Sequence, residues 1–203
     1  MTKTFLLVAT FLIAFLINAQ RIPASGVPKM AGRPQIRYSH PGDLLTEFNQ
    51  IVYAGSLILD GTVTSALPSI NRGEAHPYDI ETHIFVHVTE MLHGTLPEGG
   101  DTVLIGEDGG KTDKAEVVYA DNPMAKPGER YILFLWPDQR NNHYNSTDKT
   151  LYLVAGMYAG KAKIESGKVH FMPAASPELH SYDGTDIEQF KAILRDAIRA
   201  RFP

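Results

Sequence analysis

The chain has 203 residues, 43% of them apolar and 21% charged, ordinary globular values that allow one domain of about 150 to 200 residues. It contains no cysteine, which excludes disulfides, thiol nucleophiles and thiolate metal sites and leaves the core alone to hold the fold. A formal net charge of −4 gives no electrostatic footprint for nucleic acid or anionic lipid.

Lys3 supplies a short positive region, Phe5 to Ile17 an apolar run, and Ala19 a small residue before a cut. Residues 1–19 therefore read as a cleaved signal peptide. A retained anchor is the alternative, but a span needs about 20 apolar residues and Thr10 and Asn18 break this run. Cleavage removes only Lys3 among the charges, leaving 18 basic against 23 acidic residues. The expectation is a secreted, periplasmic or extracellular protein with no stable membrane insertion. Residues 20–42, with Pro23, Pro28, Pro34 and Pro41 and no hydrophobic period, read as a Pro/Gly-rich linker or arm. A single folded domain is expected over residues 43–203.

Leu44, Leu45, Phe48, Ile51 and Val52 recur at helical spacing before Gly55, a short amphipathic helix with its stop. Leu57 to Val63 reads as a strand in which Gly61 marks a bulge or a bend. Pro68 to Pro77 reads as a polar loop. Next, Ile80, Thr82, Ile84, Val86 and Val88 alternate with Asp79, Glu81, His83, Phe85, His87 and Thr89, which predicts a strand with one dry and one wet face. His93 to Gly100 turns the chain into a partner strand that begins at Thr102 to Ile105. Gly106 to Asp113 reads as an acidic, glycine-rich turn, and Ala115 to Tyr119 as a short strand.

Pro127 to Pro137 holds six consecutive large apolar residues between turn residues, a strand's length rather than a helix's. Ile132, Phe134 and Trp136 must face one way and Tyr131, Leu133 and Leu135 the other, so both faces need cover. A closed sheet with a helix laid outside it provides that cover. After a polar loop from Asp138 to Thr150, Leu151 to Val154 and Met157 to Ile164 read as strands around Gly156. Ser166-Gly167 turns the chain into Lys168 to Phe171, completing a hairpin. At the end, Thr185 and Glu188 fit a capping box, and Ile187, Phe190, Leu194, Ala197 and Ile198 form an apolar stripe. This helix is expected to cover the outer face of the Tyr131 to Trp136 strand. The pattern is mainly β, a small closed or partly open antiparallel barrel of five to seven strands with an N-terminal and a C-terminal helix packed outside.

The chemistry in the sequence is sparse. His83 and His87 are four apart on a strand, about 13 Å along its axis, too far for one metal ion, and with Glu81 they read as solvent-facing. His93, His143, His170 and His180 have no companion at ligand spacing. Glu107-Asp108-Gly109-Gly110 with Asp113 could offer oxygen ligands to calcium, but does not match an EF-hand loop and reads as a hairpin turn. Asp183 and Asp186 flank a helix start, where anions are favoured. Gly106 to Lys111 lacks the spacing of a phosphate loop. No Gly-x-Ser-x-Gly or His-Glu-x-x-His is present. Tyr131, Trp136, Tyr144, Tyr152 and Tyr158 read mostly as core, with a ligand platform as the other use. Asn145-Ser146-Thr147 is a glycosylation sequon in a eukaryotic source and otherwise an ordinary loop. No catalytic, cofactor-binding or metal-ligating residue is assigned.

The order Asp43-Leu44-Leu45, Leu57 to Val63, Val88-Thr89-Glu90-Met91-Leu92-His93-Gly94, Pro127 to Leu135, then Gly160 with Gly167-Lys168-Val169 resembles a broad group of exported, mostly uncharacterised bacterial domains. The resemblance covers roughly residues 43–171 and implies export and an OB-like barrel related to the netrin and tissue-inhibitor modules. Those inhibitor modules chelate a protease zinc through an N-terminal cysteine, whereas the mature chain here would begin at Gln20 and has none, so inhibition by that route does not carry over. The expected function is an exported, non-catalytic binding module for a protein or a cell-envelope component. The alternatives are a small secreted hydrolase whose acids meet only in the fold, or a protease inhibitor acting through the Asp138 to Thr150 loop.

Overall fold

The computed structural model describes residues 35–38 (backbone), 45–73, 79–96, 100–139, 147 and 149–202. The signal-peptide reading, most of the linker, His143, Tyr144, Asn145 and Ser146 lie outside them. In chain order the elements are β1 (Gln35–Tyr38), α1 (Phe48–Ala54), β2 (Leu57–Ala66), β3 (Ile70–Asn71), β4 (Ile80–His93), β5 (Thr102–Asp108), β6 (Gly110–Lys111) and β7 (Glu116–Tyr119). Then come β8 (Arg130–Pro137), β9 (Leu151–Val154), β10 (Lys161–Glu165), β11 (Lys168–Phe171), α2 (Pro177–His180) and α3 (Ile187–Arg201).

Five strands close a barrel in the order β8-β2-β4-β5-β9, with β9 returning to β8. All its pairs are antiparallel except β5 with β9. This is an OB-like barrel, the architecture that removes free edges by closure. Gly61 sits beside a register shift between β2 and β4, where a Cβ would meet Val86 Cγ1 at 2.6 Å. Only glycine lets the two strands approach so closely there.

β8 divides one edge between two partners, Arg130 to Leu133 with β10 and Leu135 to Pro137 with β9. Between them the chain loops out opposite Phe134, whose N–H donates to Gly160 O while its carbonyl accepts from Ala155 N. Gly156 (φ 60°) and Met157 (φ 59°) make that turn. The strand expected from Met157 therefore starts only at Lys161. The other predicted hairpin is present, with Ser166 and Gly167 at positive φ between β10 and β11.

The two faces of β8 are covered as their composition requires. Tyr131, Leu133 and Leu135 join Leu59, Val86 and Ile105 in one buried cluster, the barrel interior. Ile132 and Phe134 share a buried cluster with Ile58, α1 and the stripe Ile187, Phe190, Leu194 and Ile198 of α3, so α1 and α3 together cover the outer face. Trp136, next on that face, is 40% exposed.

Several expectations need correction. α3 is capped by Asp186, which accepts from Glu188 N (2.9 Å) and Gln189 N. Thr185 is instead engaged through its backbone, its carbonyl accepting from Val169 N at 3.0 Å. The turn expected from Gly106 begins only at Gly109, because β5 runs on to Asp108. Within the expected linker, Gln35–Tyr38 form a strand parallel to β7, in a small sheet ordered β1-β7-β6. Within the expected polar loop, β3 pairs with β4. Among the described residues no helix is long and apolar enough to cross a membrane.

Candidate functional site

Away from α3, four strands place one residue each in a row on the outer face. His83 on β4 is opposite Gly106 on β5, Gly106 opposite Leu153 on β9, and Leu153 opposite Trp136 on β8. Alternation sets this facing, since Ile84, Ile105, Val154 and Leu135, the chain neighbours, all lie in the interior cluster. Gly106 leaves a gap in the row; a Cβ there would lie 3.1 Å from Glu81 Cδ and 3.2 Å from Leu153 Cδ2.

Two hollows share Trp136 and Leu153 as a common wall. One, of about 120 Å³, is lined further by Gly106, Glu107, Asp108, Asn122, Val154 and Met157. The other, about 470 Å³ and more open, is lined by Pro137, Asp138 and Gln139. The side-chain oxygen of Asn122 is buried and accepts no hydrogen bond from the described residues.

The carboxylates around this face are tied to cations. Glu107, from β5, accepts from Lys161 Nζ at 2.8 Å through one oxygen and from Ala125 N at 2.8 Å through the other. Lys161 is 1% exposed, and donates as well to Pro123 O at 2.9 Å. Two ions buried so deeply persist only as a pair with further hydrogen bonds. At the other end of the face, Arg72 bridges Asp79 (3.2 Å), Glu81 (2.8 Å) and Asp108 (3.3 Å). Glu81 also lies 2.8 Å from His83 Nε2.

Glu81 and His83 overturn the wet-face expectation: they are 1% and 3% exposed. The reason is cover from elsewhere, with Arg72 lying against Glu81 and Gly106 leaving it space. A sequence signal existed in the spacing of two between Glu81 and His83, the distance at which strand neighbours share a face. His87, four from His83, is half exposed and faces Asp101 at 3.4 Å.

The other candidates have structural partners. His93 stacks on Phe202 with ring centroids 4.2 Å apart. His180 Nδ1 lies 2.8 Å from Asp183, which also accepts from Phe171 N. His170 is half-buried on β11. Tyr131, Tyr152 and Tyr158 are core residues. The Tyr131 hydroxyl donates to Glu129 at 2.7 Å, and burial followed by that carboxylate pushes its pKa well above the usual phenol range. Glu107 and Asp108 belong to β5 rather than to a turn, and Asp113 lies apart from both hollows. Among the described residues no group of three or more His, Asp or Glu could hold a metal ion.

A second charged cluster lies under α3. Asp60, fully buried on β2, accepts from Arg130 Nε (2.7 Å) and pairs with Lys191 Nζ (2.5 Å). Lys191 also reaches Glu90 at 3.0 Å, which Arg195 engages in turn. Burial alone would raise Asp60, but hydrogen bonds from Arg130 and Lys191 hold its carboxyl below the usual range. Burial alone would lower Lys191, but Asp60 and Glu90 raise it. This cluster joins α3 to β2, β4 and β8.

No protein-family model and no curated protein matches the sequence.

Proposed function

We propose that the protein is an exported, non-catalytic binding domain that holds a cell-envelope component or a protein on the face around Trp136. The observation that carries this reading is Trp136 itself, the only tryptophan in the chain, 40% exposed between two hollows on the barrel face that α3 leaves open. OB-like barrels use the face of their second and third strands, with the adjoining loops, to bind extended ligands. Here β4 and β5 are those strands, and the row from His83 to Trp136 crosses them. Export rests on the pattern of residues 1–19.

The carboxylates of this face are held within the protein, Glu107 by Lys161 and Ala125 N and Glu81 by Arg72 and His83, which supports binding over hydrolysis. The test is retention of the purified chain on the envelope fraction of its source, with and without Trp136→Ala. Retention by the parent chain and its loss in the variant is expected. Equal retention of both, or turnover of a glycoside or ester that disappears in Glu107→Gln or Glu81→Gln, would overturn the reading.

A further inference from the structure

The geometry points to a neutral glycan as the ligand of the Trp136 face, an inference that rests on the binding reading above and names its chemistry. Among the described residues neither hollow is lined by lysine or arginine, while Glu107, Asp108 and Asp138 are lining residues, so the described walls offer a phosphate or an acidic chain carboxylates and no counter-charge. The smaller hollow is lined by three residues that carry side-chain acceptors, Glu107, Asp108 and Asn122. Glu107 pairs with Lys161 at 2.8 Å, and Asp108 shares Arg72, at 3.3 Å, with Asp79 and Glu81. What the hollow offers is acceptor lone pairs whose negative charge is only partly offset, and hydroxyl groups satisfy such acceptors.

The aromatic wall fits the same ligand. A sugar ring has one face of C–H groups and a rim of hydroxyls, so it can lie against Trp136 while donating to oxygens beside it. The smaller hollow, about 120 Å³, is below the roughly 300 Å³ at which pockets hold whole small molecules. It suits an exocyclic group. The open hollow of about 470 Å³ suits a ring, and the shared wall of Trp136 and Leu153 lets one oligosaccharide occupy both. Asn122, whose side-chain oxygen has no hydrogen-bond donor among the described residues, lines the same hollow as that exocyclic group.

The single tryptophan supplies the assay. Emission of Trp136 is titrated with neutral hexasaccharides of glucose, mannose and N-acetylglucosamine, with hexagalacturonate, and with hexalysine. At least one neutral oligosaccharide is expected to shift the emission saturably, with affinity at least tenfold weaker in Asn122→Ala and undetectable by calorimetry in Trp136→Ala. Silence across the neutral panel, a response confined to hexagalacturonate or hexalysine, or undiminished affinity in both variants would overturn the inference. A response only to a charged probe removes the glycan and leaves the face standing. Envelope retention that survives Trp136→Ala removes the face as well.

Discussion

The barrel has two outer sides, and one strand contributes to both. Ile132, Phe134 and Trp136 project from the same face of β8, yet Phe134 is 0% exposed in the cluster that α1 and α3 form with the sheet while Trp136 is 40% exposed. On the first side an apolar helix stripe and a balanced ion cluster bury Asp60 and Lys191. On the second side a glycine, a tryptophan and two ion-paired groups leave two hollows. The difference teaches that the cover from α1 and α3 sets the limit of the sealed side. Where that cover stops, an equally apolar strand becomes a surface that can receive a ligand.

The largest effects should fall on the sealed side. Phe190→Ala opens a cavity where Phe48, Phe171 and Tyr182 meet the ring and should cost about 3–5 kcal/mol in denaturant unfolding. Asp60→Ala leaves Lys191, 3% exposed, without its closest carboxylate and should cost about 3–5 kcal/mol. A loss under about 1 kcal/mol would show that Glu90 and Glu188 hold Lys191 sufficiently by themselves.

The same cluster predicts a pH response. Asp60 and Glu90 have lowered pKa values, so their stabilisation is complete above the usual carboxylate values of 3.8 and 4.5 and is lost as pH falls below them. Lys191 is raised above 10.5, so its share is present below that pH and is lost at still higher pH. Thermal midpoints measured across pH should fall on both limbs, and Asp60→Ala should flatten the acid limb. Superimposable acid limbs would assign acid sensitivity to other carboxylates.

The smallest effects on stability should fall on the open side. Trp136→Ala should change unfolding free energy by about 1 kcal/mol or less while abolishing ligand retention. Gly106→Ala narrows the gap in the row, with Glu81 Cδ and Leu153 Cδ2 at 3.1 and 3.2 Å from the new carbon. It should weaken binding more than it weakens the fold, measured as affinity against unfolding midpoint. A Gly106→Ala protein that unfolds early and binds normally would place this glycine with the architecture instead.

Much of the fold was legible because it depends on neighbours in sequence. The alternation in β8, the stripe of α3, the bulge at Gly61 and the turn at Ser166-Gly167 all follow from local spacing. The candidate site was legible only as a single aromatic among several. Tyr131, Tyr152 and Tyr158 have the same character in sequence and are core. Glu81 and His83 read as wet because their partners, Arg72 and Gly106, come from other segments, and the break between β9 and β10 is set by hydrogen bonds to Phe134.

The sequence by itself determined that β8 is a strand needing shelter on two sides and that a C-terminal helix could supply one of them, because apolar period and chain geometry are local properties. Tertiary structure alone decided that β5 and β9 close the barrel in parallel, that Lys161 meets Glu107, and that the shelter ends before Trp136. Those outcomes depend on the distance between segments far apart in the chain, and burial is a property of what lies opposite a residue rather than of the residue.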